Sequence, residues 1–268
     1  MAVEIIVMLA LVGSFAGFIA GLLGIGGGMI IVPVVLWAMQ MQGAGDTAYT
    51  QHIAIGTSFA VMVFTSFSSM MSQHKKGGVN WAIFRSMAPG MITGVVAGSL
   101  LAKYLPKEGL QIFFVVFATV LAVRALMNVK PKPSRQLPGR GGLFGMGGVF
   151  GVFSSWIGIG GGSLSVPYMV FCNVPMHQAV GTSAALGWPI ALTGAVTYLG
   201  AGWNVAGLPS GAVGFVYWPA AVVLAAATLI FAPIGVKASH KLPAEKLKMA
   251  FGVLLLVIAA RMLWQVIN

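Results

Sequence analysis

Acidic side chains are nearly missing from this sequence. Its 268 residues hold four Asp plus Glu against fifteen Lys plus Arg, and charged residues make up 7% of the chain. A soluble globular chain carries roughly a quarter charged residues. So few charges cannot cover a water-facing surface, which excludes a soluble enzyme, a secreted domain and a disordered tail. The one cysteine, Cys172, can form no internal disulfide and offers no metal framework. No intramembrane cluster of His, Asp, Glu or Cys appears, so no catalytic residue, no metal and no cofactor is expected. A dinucleotide fingerprint is lacking too, because Gly24-x-Gly26 meets Met29, and Gly158-x-Gly160 meets Ser163, where a third glycine would stand.

What is present is apolar. Hydrophobic residues fill 58% of the chain, so most of its surface must be solvated by lipid. The net charge of +11 would point to nucleic acid in a soluble protein. Here it marks loops beside an anionic membrane surface, and no nucleic-acid partner is expected. The first apolar stretch has no basic flank, and apolar stretches continue to the C-terminus, so it reads as retained and not as a signal peptide.

A transmembrane helix needs about 20 apolar residues. Full-length candidates are 53–72, 80–102, 109–128, 178–201, 212–236 and 246–266. Two further apolar regions are broken. Residues 1–42 are interrupted by Gly24-Ile25-Gly26-Gly27-Gly28, and residues 142–174 by Gly158-Ile159-Gly160-Gly161-Gly162. Each glycine inside a helix costs about 1 kcal/mol relative to alanine, so these runs mark where the helix opens and the chain reverses. The pieces flanking the breaks are mostly shorter than a full span.

The breaks are copies of each other. Both read Gly-Ile-Gly-Gly-Gly, three variable residues, then Val-Pro, ending at Pro33 and Pro167. His52-Ile53-Ala54-Ile55-Gly56-Thr57-Ser58 likewise matches His177-Gln178-Ala179-Val180-Gly181-Thr182-Ser183. Leu105-Pro106 with Glu108, Leu110, Phe114 and Arg124 recurs as Leu242-Pro243 with Glu245, Leu247, Phe251 and Arg261. The chain therefore divides into a first transmembrane repeat at 1–128, a basic Pro-rich linker at 129–141 and a second transmembrane repeat at 142–268. The expected fold is an all-α polytopic membrane protein with two inverted repeats, each a broken-helix hairpin plus three full transmembrane helices.

Inversion follows from the basic residues. If each break reverses the chain, all but three of the fifteen Lys and Arg fall on the linker face, leaving Lys103, Lys107 and Arg261 on the other. If each break merely kinks, the division is nine to six. Cytoplasmic loops carry the Lys and Arg excess. The linker is thus expected in the cytoplasm and both termini outside, in a bacterial inner membrane.

Inverted repeats with interrupted helices are a signature of many secondary transporters. Helix N-termini at such breaks carry unpaired N–H groups and partial positive charge, and glycine lets a ligand reach the backbone. The candidate substrate-binding residues are therefore Gly26, Gly27, Gly28, Gly160, Gly161, Gly162 and Ser163, with the hydroxyls of Thr57, Ser58, Thr182 and Ser183. The competing reading of the glycines is close helix packing. The competing reading of the hydroxyls is a bond to a carbonyl one turn back. Further hydroxyls at Thr65, Ser66, Ser68, Ser69, Thr193 and Thr197 can line a polar path or join helices. His52 and His177 can carry a proton or simply sit at the interface. Glu108 and Glu245 open helices beside proline, where capping explains them.

Together, the paired Gly-Ile-Gly-Gly-Gly-x-x-x-Val-Pro segments, the paired Gly-Thr-Ser segments and the two-repeat length resemble the TauE/SafE family of sulfite exporters. The resemblance covers essentially the whole chain. It implies a permease for a small sulfur oxyanion or sulfonate, embedded in membrane lipid, with a homodimer left open. The repeats differ after the break, with Met29-Ile30-Ile31 facing Ser163-Leu164-Ser165. The site is therefore expected to be asymmetric, its hydroxyls mainly on the second repeat. A passive anion channel and a proton-coupled importer of another organosulfur or carboxylate compound are the alternatives.

Overall fold

The computed structural model describes residues 3–24, 26–44, 47–127, 134–238 and 244–267. Among these, ten helices occur in chain order: α1 (Val3–Leu23), α2 (Gly28–Met41), α3 (Thr50–Lys75), α4 (Trp81–Ala102), α5 (Lys107–Leu126), α6 (Arg140–Ile157), α7 (Gly162–Phe171), α8 (Met176–Gly202), α9 (Trp218–Ala238) and α10 (Ala244–Ile267). Six of them are long and apolar enough to cross a membrane: α1, α3, α4, α5, α8 and α9. The chain is an all-α, multi-pass membrane protein. The first half of the linker, Asp46, His240 and the Leu242-Pro243 pair lie outside the described residues.

Two expectations are adjusted. α1 is a full-length arm, since nothing interrupts its 21 residues before Gly24. At about 1.5 Å per residue it is roughly 30 Å long, and α6, its counterpart before the second break, has 18 residues. The span expected from 212 begins instead at Trp218. Ala212–Val213 and Val216–Tyr217 form a small antiparallel hairpin of strands β1 and β2. Glycines at 211 and 214 turn the backbone there to φ +90° and +56°, a region that L-residues with side chains avoid.

Helix ends follow the local sequence. Asn80 accepts hydrogen bonds from the backbone N–H groups of Ala82 and Ile83 and so starts α4. Glu108 lies in the first turn of α5, where a carboxylate offsets the positive end of the helix. Lys76 Nζ donates to Val236 O near the end of α9. Desolvation there, and the nearby Lys237 charge, hold the Lys76 pKa below the ordinary lysine value.

The tightest packing joins the sequence halves to each other. α1 runs alongside α9, and α6 alongside α4. Gly13, Gly17 and Gly21 of α1 face Leu224, Thr228 and Ala232 of α9 in rising order, so these helices are parallel. Gly90, Gly94 and Gly98 of α4 face Phe144, Gly148 and Val152 of α6 in the same way. α3 and α8 lie at the centre and run antiparallel. Gly56 touches Tyr198, Gly194 touches Phe59 and Gly187 touches Ser66. Exchanging every helix for its counterpart in the other repeat leaves these pairings unchanged.

At the two parallel seams backbone meets backbone. A Cβ added at Gly94 would overlap the carbonyl oxygen of Gly148, and one at Gly17 would lie 2.7 Å from Thr228 Cα. Small residues are how membrane helices gain close van der Waals contact where lipid supplies no hydrophobic drive. Trp156 adds a bond across the α4–α6 seam, its indole N–H donating to Gly98 O at 2.9 Å. Gly94→Ala is expected to cost about 1–3 kcal/mol by overpacking, seen as a lower unfolding temperature in detergent. Gly145→Ala, where an added Cβ meets nothing within 4 Å, should cost nothing. Equal melting of the two variants would show that the seam does not carry the packing.

Candidate functional site

Both glycine breaks open as expected. Gly27 and Gly161 precede α2 and α7 with φ of 78° and 73°, left-handed values that glycine adopts without strain. The chain reverses at the first break, because a Cβ on Gly27 would touch Ala20 and the Ala16 carbonyl of α1.

The two breaks touch one another. A Cβ on Gly26 would lie 3.1 Å from Gly160 Cα and 3.2 Å from Met62 Sδ. One on Gly28 would overlap the Gly158 carbonyl oxygen and reach Ser58 Oγ at 3.0 Å. Around this contact lies a crevice lined by Ala20, Gly24, Gly26, Gly160, Ser66, Ser69, Ser183, Ala184 and Gly187. It sits midway along α3 and α8 and is too narrow to hold a water molecule. A roomier cavity, about 470 Å³, lies elsewhere, between α1, α2 and α10. Its walls are almost wholly apolar, with Arg261 over the Trp37 ring at one end.

The duplicated Gly-Thr-Ser segments perform the same bonding twice. Gly56 lets the carbonyl of Phe215 approach, and Gly181 that of Gly78. Two residues further along those same connections, Tyr217 N–H donates to Thr57 Oγ1 and Asn80 N–H donates to Thr182 Oγ1, both at 2.8 Å. Thr57 in turn donates to Ile53 O at 2.6 Å. Ser58 donates to Gly158 O at 2.7 Å, and Ser183 to Gly24 O at 3.3 Å. Each segment thus holds an interhelical connection of the other repeat (α8–α9 or α3–α4) and the first glycine of the other repeat's break.

The remaining expected residues are placed as follows. Ser163 Oγ lies 4.0 Å from Met29 Sδ, so α7 meets α2 at that point. Ser165 donates to Ser183 at 3.0 Å. The histidines are not equivalent. His52 is buried beside Tyr49 and Phe215. Its Nε2 pairs with Ala102 O at 2.8 Å, and its Nδ1 has no hydrogen-bond partner. His177 is exposed.

Sequence reasoning set Ser66 and Ser69 apart only as members of a longer hydroxyl run. The structure puts both in the crevice on the first repeat, so hydroxyls there do not sit mainly on the second. Helical spacing was the available signal, since 58, 62, 66 and 69 share one face of α3. No ionisable side chain lines the crevice. Among the described residues no group of His, Cys, Asp and Glu is arranged to hold a metal.

The family profile for Sulfite exporter TauE/SafE matches residues 9–262. The chain belongs to that family. A probable membrane transporter protein of Haemophilus influenzae is 32% identical over 259 residues, covering 96% of this chain and 97% of its own length. The probable membrane transporter protein YunE of Bacillus subtilis is 23% identical, with 97% of each chain covered. MJ0441 of Methanocaldococcus jannaschii is 26% identical over 96% of this chain and 94% of its own. No solved structure matches. Membership makes the chain a membrane transporter of the TauE/SafE type, and the duplicated segments are features of a transporter scaffold.

The bonding of the Thr residues gives a direct test. Thr57→Val and Thr182→Val keep shape but leave the N–H of Tyr217 or Asn80 without its acceptor. Each should lose about 1–3 kcal/mol, the cost of a buried unmet donor. Thr119→Val, which loses only a bond to the carbonyl one turn back, should melt near the wild-type temperature. A Thr57→Val protein as stable as wild type would show that the hairpin is held by other contacts.

Proposed function

We propose that this protein is a secondary transporter that exports a small sulfur-containing anion, such as sulfite or an organosulfonate, across the bacterial inner membrane. The substrate site lies between the two glycine breaks. The observation that carries this reading is the meeting of Gly26 with Gly160 beside a hydroxyl-lined crevice at the middle of the helices. The starts of α2 and α7 flank that contact, and their N-terminal dipoles attract negative charge without a buried cation. Gly26, Gly27, Gly28, Gly160, Gly161, Gly162 and Ser163 supply the backbone of the site. Ser58 and Ser183 supply hydroxyls whose present bonds go to the breaks themselves.

The repeats are read as inverted. The antiparallel course of α3 and α8, with α1 parallel to α9 and α4 to α6, supports chain reversal at each break, because a simple kink would make α3 and α8 parallel. The linker is placed in the cytoplasm and the termini outside by the excess of basic residues. Alternating access does not rock one sequence half against the other, since that would part both glycine seams. The moving groups are α1, α2, α3 and α9 against α4, α6, α7 and α8, with the α3–α8 contact between them. Two hydrogen bonds related by the repeat, Ser58 to Gly158 O and Ser183 to Gly24 O, cross between these groups. They act as latches of the closed form.

The closed crevice favours a carrier over a passive channel, which needs a continuous path. Anion export is assisted by an inside-negative potential, by about 2.3 kcal/mol per charge per 100 mV. His52, buried with one ring nitrogen free, is the residue placed to couple protons if import is driven.

The test is flux in proteoliposomes of sulfite, thiosulfate, sulfate, isethionate and acetate, each with and without a pH gradient. Saturable, counterflow-stimulated movement of a sulfur anion is the expected result. Non-saturating flux would make the protein a channel, and movement of acetate alone would overturn the sulfur assignment. A terminal tag reachable only from the cytoplasm would overturn the orientation.

A further inference from the structure

A hydroxyl in a membrane helix ordinarily satisfies itself by donating to the carbonyl one turn back. Ser14, Thr57, Thr65, Ser86, Thr119 and Thr197 all do so. Ser66 and Ser69 do not. They are 2% and 3% exposed, and neither hydroxyl has a hydrogen-bond partner. Both line the crevice where Gly26 and Gly160 meet. Burying a hydroxyl without a partner costs stability, so two of them side by side in one crevice mark a place where something else is meant to accept those protons. The other hydroxyl of the crevice is committed, since Ser183 donates to Gly24 O and accepts from Ser165.

We propose that Ser66 and Ser69 are the uncommitted side-chain donors that grip the transported anion when it enters, so that the site is asymmetric and weighted to α3. This rests on the transporter reading above. The two residues stand one turn apart on the same face of α3 and can reach two oxygens bound to one central atom, which fits an oxyanion or a sulfonate group. At the spacing that relates His52 to His177, their counterparts in the second repeat are Ala191 and Gly194. Neither carries a hydroxyl, so the duplication does not supply a second such site. Gly187 forms the facing wall, and a Cβ there would lie 3.1 Å from Ser66 Oγ. Because the crevice is too tight for water, the hydroxyls meet their acceptor only as the α3–α8 contact widens around it. Binding and opening are therefore one event, in which the ligand selects the wider state.

The experiment compares wild type, Ser66→Ala, Ser69→Ala, the double variant and a Ser86→Ala control in proteoliposomes, with labelled sulfite and isethionate as probes. Each crevice variant should raise KM about tenfold or more, the size of one hydrogen bond to a charged group, with a smaller change in maximal rate. Thermal unfolding of the same variants should be unchanged or shifted upward, because an unmet buried hydroxyl is removed. Ser86→Ala should leave KM unchanged. Wild-type KM in Ser66→Ala and Ser69→Ala overturns the inference while leaving transport standing. A lower unfolding temperature accompanying lost flux also overturns it, since the serines would then be structural. Wild-type protein that moves neither probe saturably removes the transport reading for these substrates and this inference with it.

Discussion

Everything in this architecture depends on bringing one peptide backbone against another inside lipid. Hydrocarbon gives helices no hydrophobic reason to associate, so contact must come from dispersion at close range and from the few hydrogen bonds available. Glycine removes the atom that would keep the chains apart. At the α1–α9 and α4–α6 seams it does so one turn after another, and the helices run alongside each other with carbonyls where side chains would stand. At the two breaks it does so between loops, where Gly26 meets Gly160 and Gly28 meets the Gly158 carbonyl. The helical seams and the meeting of the two breaks are thus two uses of one missing methyl group, separated only by whether the surrounding backbone is helical.

The Gly-Thr-Ser segments show how a duplicated sequence becomes a reciprocal structure. Each gives its glycine to the approach of a connection from the other repeat, its threonine to an N–H of that connection, and its serine to a carbonyl at the other break. These three contacts all cross from one repeat to the other. Under the proposed alternating access, opening toward one face would part only one of these two serine bonds.

Much of this was legible in the residues. The composition identified a lipid-solvated chain, the glycine runs located the breaks, and α3, α4, α5, α8 and α10 start and stop within a few residues of the apolar stretches. The hairpin at 212–217 was missed because its apolar residues look like the start of a span, and only the positive φ of Gly211 and Gly214 turns it aside. The seams were missed for a different reason. Gly13, Gly17 and Gly21 recur every four residues, but which helix they face depends on tertiary pairing between distant segments. The candidate site was legible at its glycines and obscure at its hydroxyls. The sequence marks Thr57 by its duplicated Gly-Thr-Ser segment and Ser66 only as one of a hydroxyl run, and it does not tell that Thr57 is bonded on both sides and Ser66 on neither. That difference comes from what lies across α3, and it appears only once α8 and the breaks are in place.

The interleaving of the repeats also sets the order in which the protein can be made. α1 ends at Leu23, and its packing partner α9 begins at Trp218. At about 5–20 residues per second, synthesis delivers that partner on the order of 10 to 40 seconds later. Through this interval the glycine face of α1 is in the bilayer without α9 against it, and for about the first two-thirds of it the first break has no second break to meet. A chain released halfway would therefore hold a set of helices whose matching surfaces had never been translated. Assembly is committed only when the last fifth of the protein, from Trp218 onward, enters the membrane.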